Sequence, residues 1–223
     1  MKERLINLFG IENLEKIKNT NILLVGIGGV GSFCFEELIR CGVENITIID
    51  FDVYEESNLN RQLYATLNTI GKKKIESAYE RGKSINKNAK ITILDTFLNL
   101  NSDFDYSSYD YIIDACDSVP AKAGLIINAN KFNKKIIVSL GIGNRLCPQM
   151  VCKSTLKESL ADPLGKKLNH YLIKKCGIDV NVPVICSKEK PIKSEPVSSY
   201  VCITSVAGIL LCDYVIKDII NNE

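Results

Sequence analysis

Residues 21–31 read Asn-Ile-Leu-Leu-Val-Gly-Ile-Gly-Gly-Val-Gly, an apolar run that passes directly into a cluster of glycines. The run predicts a buried strand, and the glycines predict a tight turn into a helix. Gly26 and Gly28 would allow the sharp turn and the close approach of the backbone to a phosphate, while Gly31 would let the helix pack on the sheet. The free N–H groups at the start of that helix would attract an anion. The stretch therefore predicts the nucleotide-binding βαβ unit of an α/β fold.

Asp50 closes the next apolar run, over residues 46–49, where such a unit carries its ribose-binding carboxylate. A glycine turn with a strand-end acid indicates a nucleotide without saying which one. Most chains with this pattern bind NAD or FAD, so the choice depends on the residues that follow.

The residues after this acid include Asp52, Asn58, Arg61 and Lys74. A dinucleotide site has little use for them, because the glycine turn already binds its pyrophosphate. Attack on the α-phosphorus of a triphosphate builds negative charge on the α oxygens and on the departing pyrophosphate, and fixed cations stabilise that charge. Taken singly, an Asn-x-x-Arg loop is usually a solvated turn, and lysines 72–74 are an ordinary helix start. Taken together and in this order, they indicate triphosphate chemistry.

A second buried run, over residues 111–113, ends in two acids, Asp114 and Asp117. Carboxylates at the carboxyl end of a strand in an open α/β sheet lie in the ligand crevice, and their oxygens suit Mg²⁺. We predict that Asp117 binds the metal, and we expect Asp114 to be hydrogen-bonded within the strand end.

Strand and helix periodicities alternate along the chain, which predicts a Rossmann-like, largely parallel sheet flanked by helices. Strands are expected at 21–25, 45–50, 90–95, 109–114 and 135–139, and helices at 3–18, 29–41, 71–86 and 119–132. After Gly141 the rhythm changes, with strands expected at 148–153 and 182–186 and helices at 162–176 and 199–221. We expect the C-terminal strands to extend the sheet in antiparallel fashion.

These motifs resemble the adenylating domain of the ubiquitin-activating-enzyme-like (ThiF-like) family, which includes the molybdopterin- and thiamine-synthesis adenylyltransferases. The resemblance covers essentially the whole chain. It implies a single adenylating domain over residues 1–223, with residues 141–223 as its substrate-side extension, and ATP and Mg²⁺ as cofactors. It also implies the nucleotide-binding residues Gly26, Gly28, Gly29, Gly31, Asp50, Asp52, Asn58, Arg61 and Lys74.

Later motifs are similar to one branch of that family, the tRNA threonylcarbamoyladenosine dehydratases. They are Gly141-Ile142-Gly143-Asn144, Asp162-Pro163-Leu164 and Ser187-Lys188-Glu189-Lys190-Pro191. The branch implies activation of the carboxylate of threonylcarbamoyladenosine in tRNA by ATP, followed by ring closure with net loss of water. The residues implied for catalysis are Arg61, Lys74, Asp117 and Arg4. Arg4 would reach the triphosphate from the other subunit of a homodimer.

Nine cysteines are present, and none forms a Cys-x-x-Cys pair. We therefore expect no structural zinc, although several relatives carry a four-thiolate site. An odd count and an opening segment that predicts an amphipathic helix rather than a signal peptide favour reduced thiols in the cytoplasm. Cys147, Cys152, Cys176 and Cys186 have no assigned role, and a sulfur-relay partner such as a cysteine desulfurase is left open.

Basic residues outnumber acidic ones over residues 60–90 and 145–193, although the formal net charge is only +2. On the helix expected at 162–176, Lys166, Lys167, His170 and Lys174 share one face. Such a face is usually an ordinary solvated one. With the RNA substrate that the resemblance implies, it becomes a candidate surface for tRNA phosphates.

Two other functions compete with this interpretation. A sulfur-carrier or ubiquitin-like-protein activating enzyme would adenylate the C-terminus of a small protein, but the missing zinc cysteines and the basic C-terminal segment count against it. An NAD-dependent oxidoreductase or a simple binding module would not need Arg61, Lys74 and Asp117. The apolar stretch 201–212 is too short to span a bilayer and predicts a buried C-terminal helix instead.

Overall fold

A computed structural model describes residues 2–100 and 102–221, which form a seven-stranded sheet with helices on both faces. The strands are β1 (Asn21–Val25), β2 (Asn45–Ile49), β3 (Lys90–Leu94), β4 (Tyr111–Asp114), β5 (Lys135–Ser139), β6 (Val151–Thr155) and β7 (Pro183–Ser187). The helices are α1 (Lys2–Phe9), α2 (Ile11–Asn19), α3 (Gly31–Arg40), α4 (Lys74–Ile85), α5 (Val119–Lys131), α6 (Pro163–Cys176) and α7 (Val201–Asn221).

The strand order is β3-β2-β1-β4-β5-β7-β6, and the expected Rossmann-like architecture is confirmed. Neighbouring strands run parallel from β3 to β7. The β6–β7 pair is antiparallel. The C-terminal strands thus extend the sheet as expected, with the refinement that β7 continues the parallel part and only β6 reverses.

Two apolar clusters cover the two faces of the sheet, because successive side chains of a strand point to opposite faces. In β1, Ile22 and Leu24 pack into the cluster that contains α3 and α7. Leu23 and Val25 pack into the cluster that contains α5 and α6. Both faces of the central strands are therefore buried, as their continuous apolar runs predict.

The single N-terminal helix expected at 3–18 is wrong. The chain forms α1 and α2 instead, and it turns between them at Gly10, whose φ of +82° lies in the left-handed region that favours glycine. Helix α4 begins at Lys74 rather than at 71, because Gly71 has a positive φ and Lys73 pairs with Val53 in an isolated bridge. Pro148 begins a short 3₁₀ turn, so β6 starts at Val151 rather than at 148.

Helix α7 is the buried C-terminal helix that the sequence predicts, and Leu211 and Val215 are fully buried on it. Of the helices in residues 2–100 and 102–221, none has both the length and the apolarity needed to cross a membrane. All nine thiols are free. Cys186 is a core residue that faces Cys152 across the β6–β7 pair, so packing accounts for one of the unassigned cysteines.

Candidate active site

Four strand ends enclose one cleft at the carboxyl edge of the sheet. Residues at the ends of β1, β2, β4 and β5 line this cleft, which has a volume of about 490 Å³. It lies where the strand order changes direction, between β1 and β4. Ligands of open α/β sheets bind at such a point, because the loops leaving the two strands diverge to opposite faces.

The glycine turn is too tightly packed for side chains at two of its positions. Gly26 has a φ of +92°, and a Cβ there would lie 2.8 Å from the carbonyl carbon of Ala115. A Cβ on Gly31 would lie 1.8 Å from the carbonyl oxygen of Gly26. Gly28 and Gly29 form part of the cleft wall, whereas Gly31 begins α3. The turn thus brings backbone close to the space that a nucleotide phosphate would fill.

Asp50 braces the glycine turn from the neighbouring strand. Its Oδ2 accepts a hydrogen bond from the N–H of Ile27 at 2.6 Å, and its Oδ1 accepts one from the N–H of Asp52 at 2.9 Å. Each carboxylate oxygen has two lone pairs, so both can still accept a ribose hydroxyl. Asp50 lines the cleft, which is compatible with the ribose-binding role predicted for it.

Lys74 and Asp52 form an ion pair on the cleft wall, with Nζ 2.8 Å from Oδ2. Lys74 is 6% exposed, whereas Asp52 is exposed. The lysine begins α4, and its N–H donates to the carbonyl oxygen of Asp52 at 3.1 Å. The ammonium is therefore held at the cleft by a partner that solvent also reaches.

The loop between β2 and α4 brings Arg61 to the cleft. Its Nη1 donates to the carbonyl oxygen of Ser57 at 2.8 Å and to Oδ1 of Asn60 at 2.9 Å. Asn58 is buried outside the cleft lining, where its Oδ1 accepts a hydrogen bond from the N–H of Glu55 at 3.2 Å. The structure thus places Asn58 in the interior of the loop that carries Arg61, and not on the wall where direct binding was predicted.

Asp114 and Asp117 have opposite surroundings, although they are close in the chain. Asp114 is fully buried, and its Oδ1 lies 3.2 Å from Nζ of Lys122 and accepts a hydrogen bond from the N–H of Cys116 at 3.1 Å. It is hydrogen-bonded within the strand end, as expected. Asp117 is exposed and lines the cleft just before α5. Of the two acids, Asp117 is the one that a ligand can reach.

Three wall residues were missed from the sequence. Gln62 is buried, and its Oε1 has no hydrogen-bond partner within the described part of the chain. The signal available in the sequence was its position directly after Arg61 of the Asn-x-x-Arg loop. Phe51 and Phe97 line the cleft with their rings nearly perpendicular and 5.2 Å apart. Such a pair offers an apolar surface to a base.

Cys116 lines the cleft as a neutral thiol. Burial, reinforced by the nearby Asp114 carboxylate, raises the pKa of this thiol well above its ordinary value. The thiolate is the form that attacks an acyl or phosphoryl group. A covalent role for Cys116 is therefore disfavoured.

A second cavity, of about 840 Å³, adjoins the nucleotide cleft. The residues that line both are Asp117, Gly141, Gly143, Leu164 and Val197. The segment after β5, the start of α6 and the loop that follows β7 complete the second cavity. The motifs after Gly141, which had no assigned chemistry, meet here.

The remaining predicted residues lie outside the cleft. Arg4 is exposed on α1. The four residues of the basic stripe on α6 are all exposed, and one of them, Lys167, also lines the second cavity. The stripe therefore begins at the cavity and runs outward along the helix.

The chain matches the ThiF family over residues 2–222. The tRNA threonylcarbamoyladenosine dehydratase of Bacillus subtilis is 32% identical over 235 residues, an alignment that covers 96% of this chain and 92% of that protein. The adenylyltransferase and sulfurtransferase UBA4 of Saccharomyces cerevisiae is 37% identical over 110 residues, covering 49% of this chain and 25% of that protein.

Solved structures show a similarity to the same group of proteins. The E. coli tRNA N6-threonylcarbamoyladenosine dehydratase, crystallised in complex with ATP and with AMP, has a TM-score of 0.93 to this fold at 30% identity. The alignment covers 97% of this chain and 92% of that one. Similarity along nearly the full length, together with the glycine turn, Arg61, Lys74 and Asp117 around one cleft, identifies this chain as a member of the ThiF family.

Proposed function

We propose that this protein is an ATP-dependent tRNA threonylcarbamoyladenosine dehydratase. One observation carries the proposal: the nucleotide cleft shares a wall with a second cavity, and a basic helix face leads away from that cavity. The cleft suits ATP, the second cavity suits the acyl group to be activated, and the basic face suits the tRNA that carries it. The near full-length similarity to dehydratases supports the same assignment.

The proposed reaction has two steps. A carboxylate oxygen of the substrate attacks the α-phosphorus of ATP, pyrophosphate leaves, and an acyl-adenylate forms. An oxygen or nitrogen of the neighbouring carbamoyl group then attacks the activated carbonyl, a carbamoyl N–H gives up its proton, and AMP leaves with the original carboxylate oxygen. The second step is intramolecular and benefits from a high effective molarity. No nucleophile from the protein is needed, in line with the neutral thiol of Cys116.

In this proposal each cleft residue has a distinct role. Asp50 binds the ribose, the glycine turn binds phosphate through backbone N–H groups, and Lys74 and Arg61 stabilise the negative charge that develops on the phosphates. Asp52 holds Lys74 in place before ATP arrives.

Mg²⁺ fits the donors of this cleft. Within the described residues, no three His, Cys, Asp or Glu side chains converge as a metal cage would require. Mg²⁺ bound together with a nucleotide usually takes one or two carboxylates and completes its shell with phosphate and water oxygens. Asp117 would be that carboxylate, and the ion would neutralise charge on the phosphates.

Residues 1–223 would act as a single adenylating domain, with residues 141–223 supplying the substrate side. Support comes from the second cavity, whose wall apart from Asp117 is built entirely from residues 141–197. A tRNA substrate also favours the cytoplasm as the place of action.

The direct test is mass analysis of nucleosides from tRNA that carries threonylcarbamoyladenosine, after incubation with the protein, ATP and Mg²⁺. We expect the modified nucleoside to lose one water, with no change when ATP is omitted. An unchanged nucleoside in the complete reaction would overturn the proposal.

A pyrophosphate-release assay separates the alternative, activation of a sulfur-carrier or ubiquitin-like protein. The similarity to UBA4 covers only half of this chain, which favours the dehydratase. Pyrophosphate release should rise with modified tRNA and remain at background with a carrier protein, and the opposite pattern would favour the alternative.

Reversing the charge of Lys166, Lys167 and Lys174 to Glu should weaken tRNA binding by about tenfold or more and flatten its salt dependence, because fewer counterions are released. ATP binding should barely change. The measurement is tRNA affinity over a salt series.

A matched control reverses three exposed lysines at the opposite, amino-terminal edge of the sheet, namely Lys87, Lys90 and Lys131. The control has the same net charge as the stripe variant. Equal affinities of the two variants for tRNA would show that the basic stripe on α6 is an ordinary solvated surface and does not bind tRNA.

Arg4 supplies a test of the proposed homodimer. It is exposed on α1, the helix that precedes the turn at Gly10, so its side chain is accessible to a neighbouring subunit. We expect Arg4→Ala and Asp117→Ala to be inactive separately. After subunit exchange, an equal mixture should regain about a quarter of the wild-type sites, since half of the dimers then contain one complete site. A mixture that stays inactive would show that Arg4 does not act in trans, and full activity of Arg4→Ala alone would remove it from the mechanism.

A further inference from the structure

Arg145 is a buried cation on the wall of the second cavity, with 3% of its surface exposed. Its Nη2 lies 3.1 Å from Oδ2 of Asp162. Its Nε and Nη1 have no hydrogen-bond partner anywhere in residues 2–100 and 102–221. Two of the three guanidinium nitrogens are thus buried without an acceptor.

Such an arrangement is costly unless a ligand completes it. A buried donor without a partner loses its hydration and gains nothing in exchange, and the cost is larger for charged groups. A guanidinium presents five N–H donors in a rigid plane that matches planar oxygen acceptors such as carboxylates. The vacant donors therefore indicate an oxygen-rich planar group as the occupant of this cavity.

Asp162 is not the missing partner of Nε and Nη1, because its own oxygens already accept other hydrogen bonds. Oδ1 accepts hydrogen bonds from the N–H groups of Gly141, Leu164 and Gly165 at 3.2, 3.0 and 2.9 Å. The carboxylate thereby caps α6 and holds Nη2 of Arg145 in one place. This leaves the remaining guanidinium nitrogens preorganised for a ligand.

The residue before Arg145 is hydrogen-bonded to the segment that forms the outer wall of the cavity. Asn144 has a φ of +57°, and its Oδ1 and Nδ2 bind the N–H of Ser198 at 2.8 Å and the carbonyl oxygen of Ser194 at 3.0 Å. We call residues 191–198, which these bonds fasten, the strap. Asn144 therefore holds the strap in place, and the adjacent Arg145 lines the cavity that the strap borders.

We propose that Arg145 binds the acyl end of the substrate, the threonyl carboxylate and the adjoining urea carbonyl, and so selects modified tRNA over unmodified tRNA. The inference rests on the proposed function. Its geometric support is the shared wall: the cavity that Arg145 lines also reaches Asp117, the residue proposed above to bind Mg²⁺ beside the phosphates of ATP.

The test measures the affinities of the protein for tRNA with and without the threonylcarbamoyl group, and the preference is their ratio. In Arg145→Met we expect this preference to fall roughly tenfold to a hundredfold, the usual effect of losing a charged hydrogen bond. Affinity for unmodified tRNA and for ATP should stay near the wild-type values. Arg40→Met is the matched control, because Arg40 also pairs with a carboxylate, Oε1 of Glu36 at 2.6 Å, but on the outer part of α3.

The outcomes for the inference and for the proposed function can be told apart. A preserved preference in folded Arg145→Met overturns the inference, while wild-type protein that neither prefers nor dehydrates modified tRNA overturns the proposed function instead. If Arg145→Met does not fold, Arg145→Lys decides, since it keeps a cation beside Asp162 but offers fewer donors. We expect a reduced preference there too, and an unchanged one refutes the role.

Discussion

Asp117→Ala should lower the rate of adenylate formation by a factor on the order of a hundred or more, the scale of losing one charged group that acts on the transition state. Asp117 is exposed, and it lines both the nucleotide cleft and the second cavity, so its removal deprives the site of the proposed Mg²⁺ ligand without disturbing the core. The measurement is pyrophosphate release with modified tRNA, together with thermal unfolding to show that the fold is intact.

Asp179→Ala is a suitable control, because Asp179 is an exposed carboxylate that pairs with Lys157 at 2.8 Å, away from the cleft. It should release pyrophosphate at the wild-type rate. Near-normal pyrophosphate release by a folded Asp117→Ala protein would refute the proposed role of Asp117 as the Mg²⁺ ligand.

Lys74→Ala should lower the maximal rate strongly, by roughly a hundredfold, and raise the apparent ATP requirement much less. The ammonium is buried at the cleft, where its charge is worth more than in water, and that charge is most useful once pyrophosphate is leaving. Arg61→Ala should change the kinetics in the same direction. The measurement is the dependence of the rate on ATP concentration.

The neighbouring Lys72 provides the control for Lys74, since it is exposed and precedes α4. Lys72→Ala should match the wild type in both kinetic parameters. If Lys74→Ala changed only the ATP requirement, the lysine would be a ground-state binding residue and not one that acts on the leaving group.

The sequence predicted those parts of the fold and site that depend on local patterns. The apolar run before Gly26 and the acid at Asp50 belong to one βαβ unit, so their positions follow from strand and helix lengths alone. The burial of Asp114 and the exposure of Asp117 likewise follow from where β4 ends. The break at Gly10 was missed because a glycine inside an amphipathic pattern does not reveal its φ in the sequence.

What remained hidden depends on contacts between distant segments. Thr204 on α7 approaches the glycine turn so closely that a Cβ on Gly29 would lie 3.2 Å from its Cγ2, yet no spacing links the two. The pair of Arg145 with Asp162 is similar. Each residue stands in or beside a noted motif, but their meeting depends on how the start of α6 packs against the segment that follows β5. Such contacts are products of the tertiary fold, and periodicity carries no information about them.

The strap affects how many ATP molecules the proposed reaction consumes for each nucleoside converted. An acyl-adenylate hydrolyses readily in water, and in the proposed reaction it would form where the two cavities meet, beneath Val197 of the strap. A Cβ on Gly143 would lie 2.5 Å from Cγ1 of that valine, so the strap packs directly on the backbone of Gly143. Loosening it would let solvent compete with ring closure, and the protein would then consume several ATP molecules for each nucleoside converted while its rate of pyrophosphate release remained high.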